Sequence, residues 1–329
     1  ERDLVIGTHG RSFWVMDNIG VLRQLDESSE RSLQLFEPAF SVRGVDEGVA
    51  IDYFLAEQAE TLTLDILDSN GELIRSFNGE VKEPEDEEEE DEVYDPTRKE
   101  PPPTADMQAG LNRFTWDMRY PGFTDFPGMI LWTSRNGGIT AVPGEYQARL
   151  TVDGEALTQP FELRLDPRVK LDDPGELEAR FDLASQISAK VSEANEAVLL
   201  VRGIKQQTDA LDGQIDGDMA ASVSAFVDRI SAVEGRVYQV RNQSRQDPLN
   251  YPIMLNDKLA GLIGTVESAE ARPTDQARAV FERLSGQLDG ELGELEAALD
   301  GDLPNLNAQL EAAGLAPIER RPLKVEEET

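Results

Sequence analysis

The chain has 329 residues, with 31 Lys and Arg against 65 Asp and Glu, a formal charge of −34, one His and no Cys. Without cysteine there is no disulfide, no thiolate metal site and no cysteine nucleophile, and a single imidazole leaves little scope for histidine-rich metal centres. A surface this acidic repels phosphate backbones and anionic lipid, which argues against nucleic acid as a partner and against membrane surfaces. No apolar run approaches the ~20 residues of a membrane span, so no membrane insertion is expected.

At roughly 100–200 residues per domain the length predicts two or three domains. The opening Glu1–Ile6 has neither the basic start nor the apolar stretch of a signal peptide. It leads into two apolar runs, Leu4–Ile6 and Phe13–Met16, separated by a turn bracketed by Gly7 and Gly10, which predicts a β-hairpin. A lone hairpin is marginal in water and needs a neighbour. His9, Ser12 and Asp17 lie close in sequence, but side chains on a tight hairpin alternate between faces, whereas a catalytic triad converges from separate segments. His9 is therefore read as a turn or strand-end residue.

From Pro38 to Arg168 short strands alternate with turn residues: Val49–Leu55, Thr61–Leu67, Leu73–Phe77, Asn112–Asp117, Gly144–Val152 and Gln159–Leu165. Asn70-Gly71 is a hairpin signal, because both residue types tolerate positive φ. In the fifth strand Tyr146, Ala148, Leu150 and Val152 alternate with Gln147, Arg149 and Thr151, giving one buried and one wet face. The set predicts an antiparallel sandwich of immunoglobulin or fibronectin type.

Two stretches interrupt it. Glu80–Pro103 is acidic and ends in three prolines, and is expected to be a mobile insertion that could attract divalent cations or a basic partner only loosely. Residues 80–95 carry a local charge of −10, which leaves −24 over the other 313 residues, and only seven of the basic residues are Lys. General acidity with few lysines suits a protein kept dispersed in a salty environment, where screening shortens the range of self-repulsion. The second stretch, rich in Gly and Pro, crowds Trp116, Tyr120, Phe123, Phe126 and Trp132 into a long loop. Its rings could stack on a sugar or grip another domain if exposed, and would plug the end of the sandwich if buried; burial or interdomain packing is the favoured reading.

After Asp166-Pro167-Arg168 the composition turns to Ala, Leu, Glu and Gln with helical spacing. Leu177, Phe181, Ala184, Ile187, Val191, Ala194, Val198 and Val201 form one stripe. Met219, Val223, Phe226, Ile230, Val233, Val237, Val240 and Ser244 step alternately by four and three, and Asp247-Pro248 should end that helix. Pro252 suits the first turn of a helix running to about Ser268. Thr274 is a candidate N-cap for a helix burying Phe281, Leu284, Leu288, Leu292, Leu295 and Leu299, followed by a short Pro304–Ala313 helix and a charged tail. Short connections between long helices predict an up-down bundle. The boundaries expected are 1–37 for the hairpin and linker, 38–170 for the sandwich and 171–329 for the helices and tail.

Chemistry is sparse. Carboxylates are too abundant for a glycosidase pair to be chosen from spacing. Asp65–Glu72 and Asp209–Asp218 faintly resemble oxygen-ligand Ca2+ loops, but neither has the alternating acids and late Glu of an EF-hand. No phosphate loop, dinucleotide fingerprint or nucleophile elbow occurs, so no catalytic residue, cofactor or metal ligand is assigned.

Certain segments carry a resemblance. Asp3–Ile19, with Gly7-Thr8-His9-Gly10-Arg11-Ser12-Phe13-Trp14-Val15-Met16-Asp17, resembles the closing blade of large secreted bacterial β-propeller proteins labelled sortilin-like, BNR-repeat or glycosyl-hydrolase-like. The similarity continues through Leu35-Phe36, Gly110–Pro121, Pro143–Leu150, Asp166-Pro167-Arg168 and Tyr251–Leu259, and leaves out the acidic insertion. The resemblance implies a secreted, periplasmic or cell-surface protein and a β plus α multidomain chain with three parts: a terminal propeller-blade hairpin, a β-sandwich and a helical bundle. It implies as partner a propeller portion, in the same protein or in another chain, with a glycan or a protein as further ligands. Blade repeats are shared by many non-enzymes, and a propeller-centre site would lie outside these residues, so the chain is read as a noncatalytic scaffold or interaction region. Two alternatives stand beside this. One is a carbohydrate-binding accessory region of a glycoside-hydrolase-like enzyme, and the other is part of a sortilin-like peptide or protein receptor.

Overall fold

In a computed structural model of the chain the described residues are 3–16, 19–24, 32–81, 102–173 and 175–324. Most of the acidic stretch, residues 82–101, and Asp17 lie outside them. The fold is β plus α, with several sheets followed by a C-terminal helical region. Among the described residues the chain divides into two units, one holding 3–81, 102–121 and 140–172, the other 122–139 and 173–324.

The first unit begins with the predicted hairpin, β1 (Leu4–Gly7) and β2 (Phe13–Met16), in the register Leu4 to Met16 and Ile6 to Trp14. A short helix α1 (Gly20–Gln24) follows, then β3 (Leu33–Leu35), β4 (Ser41–Arg43), β5 (Val49–Leu55), β6 (Leu62–Asp68), β7 (Leu73–Glu80), β8 (Ala105–Asp106), β9 (Gly110–Trp116), β10 (Gly144–Val152) and β11 (Glu155–Leu165). They form a six-stranded sheet in the order β4-β11-β10-β6-β7-β8 and a three-stranded sheet in the order β3-β5-β9. Both sheets feed one core, in which Ile51, Tyr53, Leu64, Ile66, Trp116, Ala148 and Leu150 are fully buried. The alternation read in residues 146–152 is the alternation of that buried face.

The larger sheet is mixed and not purely antiparallel as expected. Leu163–Leu165 pair in parallel with Ser41–Arg43, and Gly79-Glu80 pair in parallel with Ala105-Asp106, so Glu80 is part of a strand and not of the insertion. These pairings join residues distant in sequence, which a local pattern does not reveal. β11 starts at Glu155 because Asp153-Gly154, at φ of 47° and 89°, closes a tight hairpin with β10. At the β6–β7 turn only Gly71 takes a positive φ, and Asp68 Oδ1 accepts the N–H groups of Asn70 and Glu72, each at 2.8 Å.

The helical unit contains α2 (Glu176–Asp209), α3 (Gly217–Val237), a single 3₁₀ turn at Asp247–Leu249, α4 (Leu255–Val266) and α5 (Asp275–Ala312). α2 packs on α4 and α3 on α5. The seam from Met219 to Val237 faces the core as predicted, but the helix ends there, and Val240 is half exposed. Tyr238 leaves the helix in an extended conformation, φ −128° and ψ 145°, which carries its ring edge-on to Phe126 with centroids 4.9 Å apart. Thr274 caps α5, its hydroxyl accepting the N–H of Ala277 at 3.1 Å.

Pro304 does not start a new helix. It sits inside α5, where it withholds one N–H from the ladder, and the helix runs through because Leu303 before it and Leu306 and Leu310 beyond it are buried in the core. Two substitutions on this helix should therefore have opposite signs. Thr274→Ala is expected to cost about 1 kcal/mol by exposing an orphan donor, and Pro304→Ala, at an exposed position, to stabilise by about 1–3 kcal/mol by restoring a bond and removing a clash. Chemical denaturation of the two variants measures both.

Candidate functional site

Polar groups converge in the helical unit, where residues 122–139 pack on α2, α4 and Tyr238. This loop contributes Phe123, Phe126 and Ile139 to the helical core, although the sequence reading places it in the sandwich. Where its backbone meets the helices, donors and acceptors that lose water need partners.

Asp257 supplies the main one. Asp257 is 3% exposed, and its carboxylate accepts the N–H of Trp132 at 2.9 Å, the N–H of Thr133 at 3.0 Å and the Thr133 hydroxyl at 2.5 Å. Asp257 stands in the first turn of α4, where the helix dipole favours a negative charge. Beside it Asn256 Nδ2 donates to Asn195 Oδ1 at 3.1 Å, and Asn195 Nδ2 donates to the carbonyl of Thr124 at 2.7 Å. The Thr124 N–H donates to the Ser192 hydroxyl at 3.0 Å.

A second set closes the other end of the loop. The Ile130 N–H donates to the Tyr238 hydroxyl at 3.1 Å, and burial raises the Tyr238 pKa above that of an ordinary phenol. The Arg202 guanidinium lies 4.6 Å from the Phe126 ring centre and its Nε donates to buried Glu234 at 2.9 Å, where Lys205 also donates at 3.1 Å. Arg202, Lys205 and Glu234 are thus paired with one another.

The five aromatic candidates separate accordingly. Trp116 is fully buried in the first unit, its indole N–H donating to the Arg119 carbonyl at 3.1 Å. Tyr120 is half-buried there, its hydroxyl bonded to that of Tyr146, and burial raises the pKa of both phenols. Phe123 and Phe126 are buried in the helical unit. Trp132 alone of the five keeps half its surface, 50% exposed.

Asp117 and Asp166 hold backbone in a similar way. Asp117 accepts the N–H of Arg119 at 3.1 Å and two bonds from Arg75. Asp166 accepts both the backbone and the side chain of Arg168, whose side-chain hydrogen bonds hold its carboxyl below the usual range. Asp68 is lowered likewise, first by the Glu72 N–H. What these two depressed carboxylates add to stability is present at neutral pH and is lost as pH falls below the ordinary value of about 3.9 and through the lowered folded values.

His9 sits at an exposed turn where the Thr8 hydroxyl donates to the Ser12 carbonyl at 2.8 Å. In the first possible Ca2+ loop Asp65 is taken by Arg149 at 2.6 Å and by the Ser76 hydroxyl at 2.7 Å. Among the described residues no group of three or more His, Asp or Glu is arranged to hold a metal ion. No helix among them is long and apolar enough to cross a membrane. A groove of about 430 Å³ runs beside β3 and β11, and its lining holds a single ionisable side chain, Glu155, so a carboxylate pair has no second member there. Pro160 takes a backbone donor off the same stretch of β11, which discourages strand addition.

No protein-family model matches the chain, and no curated protein matches it. Among solved structures, CopC from Methylosinus trichosporium OB3b aligns over 41% of this chain and 88% of its own, at 14% identity and a TM-score of 0.19. The apo β-glucuronidase from Ruminococcus gnavus aligns over 40% of this chain and 16% of its own, at 12% identity and 0.17. The periplasmic chaperone SfaE aligns over 45% and 62%, at 7% identity and 0.18. Scores this low do not establish a shared fold.

The loop clamp makes a sharp contrast within one short segment. Asp257→Ala takes the acceptor from the N–H groups of Trp132 and Thr133 and is expected to cost about 2 kcal/mol, while Lys258→Ala, at an exposed neighbour, should stay within about 0.5 kcal/mol. Urea unfolding followed by tryptophan emission measures both, and equal effects would remove Asp257 from this role.

Proposed function

We propose that this chain is a noncatalytic scaffold and interaction region of a secreted or cell-envelope β-propeller protein. On this reading it joins the propeller portion, in the same protein or in another chain, through the hairpin β1–β2. The observation that carries the reading is the exposure of that hairpin on both faces. Cross-strand neighbours share a face, so Leu4, Ile6, Trp14 and Met16 line one side and Val5, Phe13 and Val15 the other. Phe13 is 80% exposed and Trp14 65%. Among the described residues neither outer edge of the two-stranded sheet is paired.

A ribbon apolar on both sides suits the interior of a larger β-structure, where neighbouring strands complete the edges and packed sheets cover the faces. A last propeller blade meets that requirement. The two sheets are then a sandwich of immunoglobulin or fibronectin type, and α2 to α5 an up-down bundle. Support for a noncatalytic role comes from the polar clusters, whose charged members are spent on backbone and on one another.

The carbohydrate-binding alternative has one feature in its favour, the half-exposed indole of Trp132, a residue whose backbone N–H donates to Asp257. Loss of saccharide affinity on Trp132→Ala, measured by calorimetry, would support it.

The leading reading is tested by mixing the chain with the propeller portion of a protein of the resembled family. A stoichiometric complex is expected, and Ile6→Asp with Trp14→Asp should abolish it while changing the stability of the two units by no more than about 0.5 kcal/mol. Equal binding by the double variant would contradict the reading. So would hydrolytic activity of the chain that one Asp or Glu substitution removes.

A further inference from the structure

The segment after α5, read from sequence as a charged tail, is seated on the helical unit. Gly314, at φ +74°, ends α5 with the Gly314 N–H donating to the Glu311 carbonyl at 3.0 Å and the Leu315 N–H to the Leu310 carbonyl at 2.9 Å, the paired bonds of a Schellman motif. The chain then turns back across α2 and α5 without forming helix or strand.

Two side-chain amides hold its backbone. Asn307 on α5 donates to the Ile318 carbonyl at 2.9 Å and accepts the Ile318 N–H at 2.8 Å. Gln207 on α2 donates to the Glu319 carbonyl at 3.0 Å and accepts the Glu319 N–H at 2.9 Å. An amide used in both directions supplies the donor and acceptor that a neighbouring strand would supply, and it does so without reading the side chain it holds. Further on, the Leu323 N–H donates to the Leu199 carbonyl at 2.8 Å, and a Cβ on Gly203 would overlap the backbone of Arg321 to Leu323. The side chains add selectivity. Ile318 is buried in the helical core at 3% exposure, Leu323 packs on its edge, and Arg320 pairs with Asp300 at 2.5 Å and Glu296 at 3.5 Å on an acidic rim.

We propose that the floor formed by Gly203, Gln207 and Asn307 is a peptide-binding groove for segments of the form Ile-x-Arg-x-Pro-Leu, occupied in this chain by its own residues 318–323. The grip lies in the main-chain amides and the two apolar anchors, and Ala316 and Pro317, which lead into it, are exposed. The covalent tether through residues 315–317 therefore raises the local concentration of the ligand but is not what recognises it. The same groove takes a peptide of this class supplied separately.

The test keeps the whole chain. A protease site is inserted between Leu315 and Ala316, the protein is folded intact and then nicked, and a fluorescent Ala316–Lys324 peptide is titrated in. Retention of the cleaved segment through gel filtration is expected, with saturable exchange for the labelled peptide at one site. An Ile318→Ser peptide and a scrambled peptide should fail to bind. Gln207→Ala with Asn307→Ala in the nicked chain should weaken binding at least tenfold, Gly203→Val should abolish it, and higher salt should weaken it through the Arg320 contacts. Failure of the peptide to bind, binding unaffected by Gly203→Val, or unfolding on nicking that excess peptide does not reverse would each overturn the proposal.

Discussion

A carboxylate removed from water has to be given donors, and the arrangement of the helical unit follows from how Asp257 receives them. It stands in the first turn of α4, and takes two backbone N–H groups and a hydroxyl from residues 132 and 133. A loop rich in Gly and Pro has little propensity of its own to lie flat on helices. The buried charge makes one placement far better than the rest, because any slip leaves either the carboxylate or two amides without partners. Asn256, Asn195 and Tyr238 repeat the device with neutral groups, so that Phe123 and Phe126 arrive in the core already oriented.

The sheets of the first unit use acids in the same way. Asp52 faces Arg113 across the β5–β9 pair at 2.7 Å, and Asp65 faces Arg149 across β6–β10 at 2.6 Å. Thus part of the acidic excess is structural, spent on cross-strand pairs and turn caps such as Asp68 and Asp153, the latter accepting the N–H groups of Glu60 and Thr61. Asp117, Asp166 and Asp257 likewise hold backbone, each accepting at least one main-chain N–H.

Much of this was legible in the amino-acid order. β5 and β10 were read at their observed bounds, because alternation in a half-buried strand is strictly local, and Thr274 was read as a cap because its hydroxyl serves the next turn. Less legible was whatever depends on distant partners. β4 and β8 are short and pair in parallel across the sheet, Tyr238 abandons a periodic helix for a ring contact with Phe126, and Pro304 is carried through by the leucines beyond it. The Asp153-Gly154 hairpin, by contrast, rests on a local signal, an Asp-Gly pair between two strands. Asp257 offered only the hint of an acid in the first turn of a helix, since its ligands lie more than 120 residues away.

Native-state hydrogen exchange on the full chain bears most directly on the claim that residues 122–139 are a built-in part of the helical core. The account predicts that the amides of Thr124, Ile130, Trp132 and Thr133 exchange only through the opening that exposes α2 and α4, with the same dependence on denaturant. Exchange of these four amides at the rate of a free loop, while α2 and α4 remain protected, would contradict it.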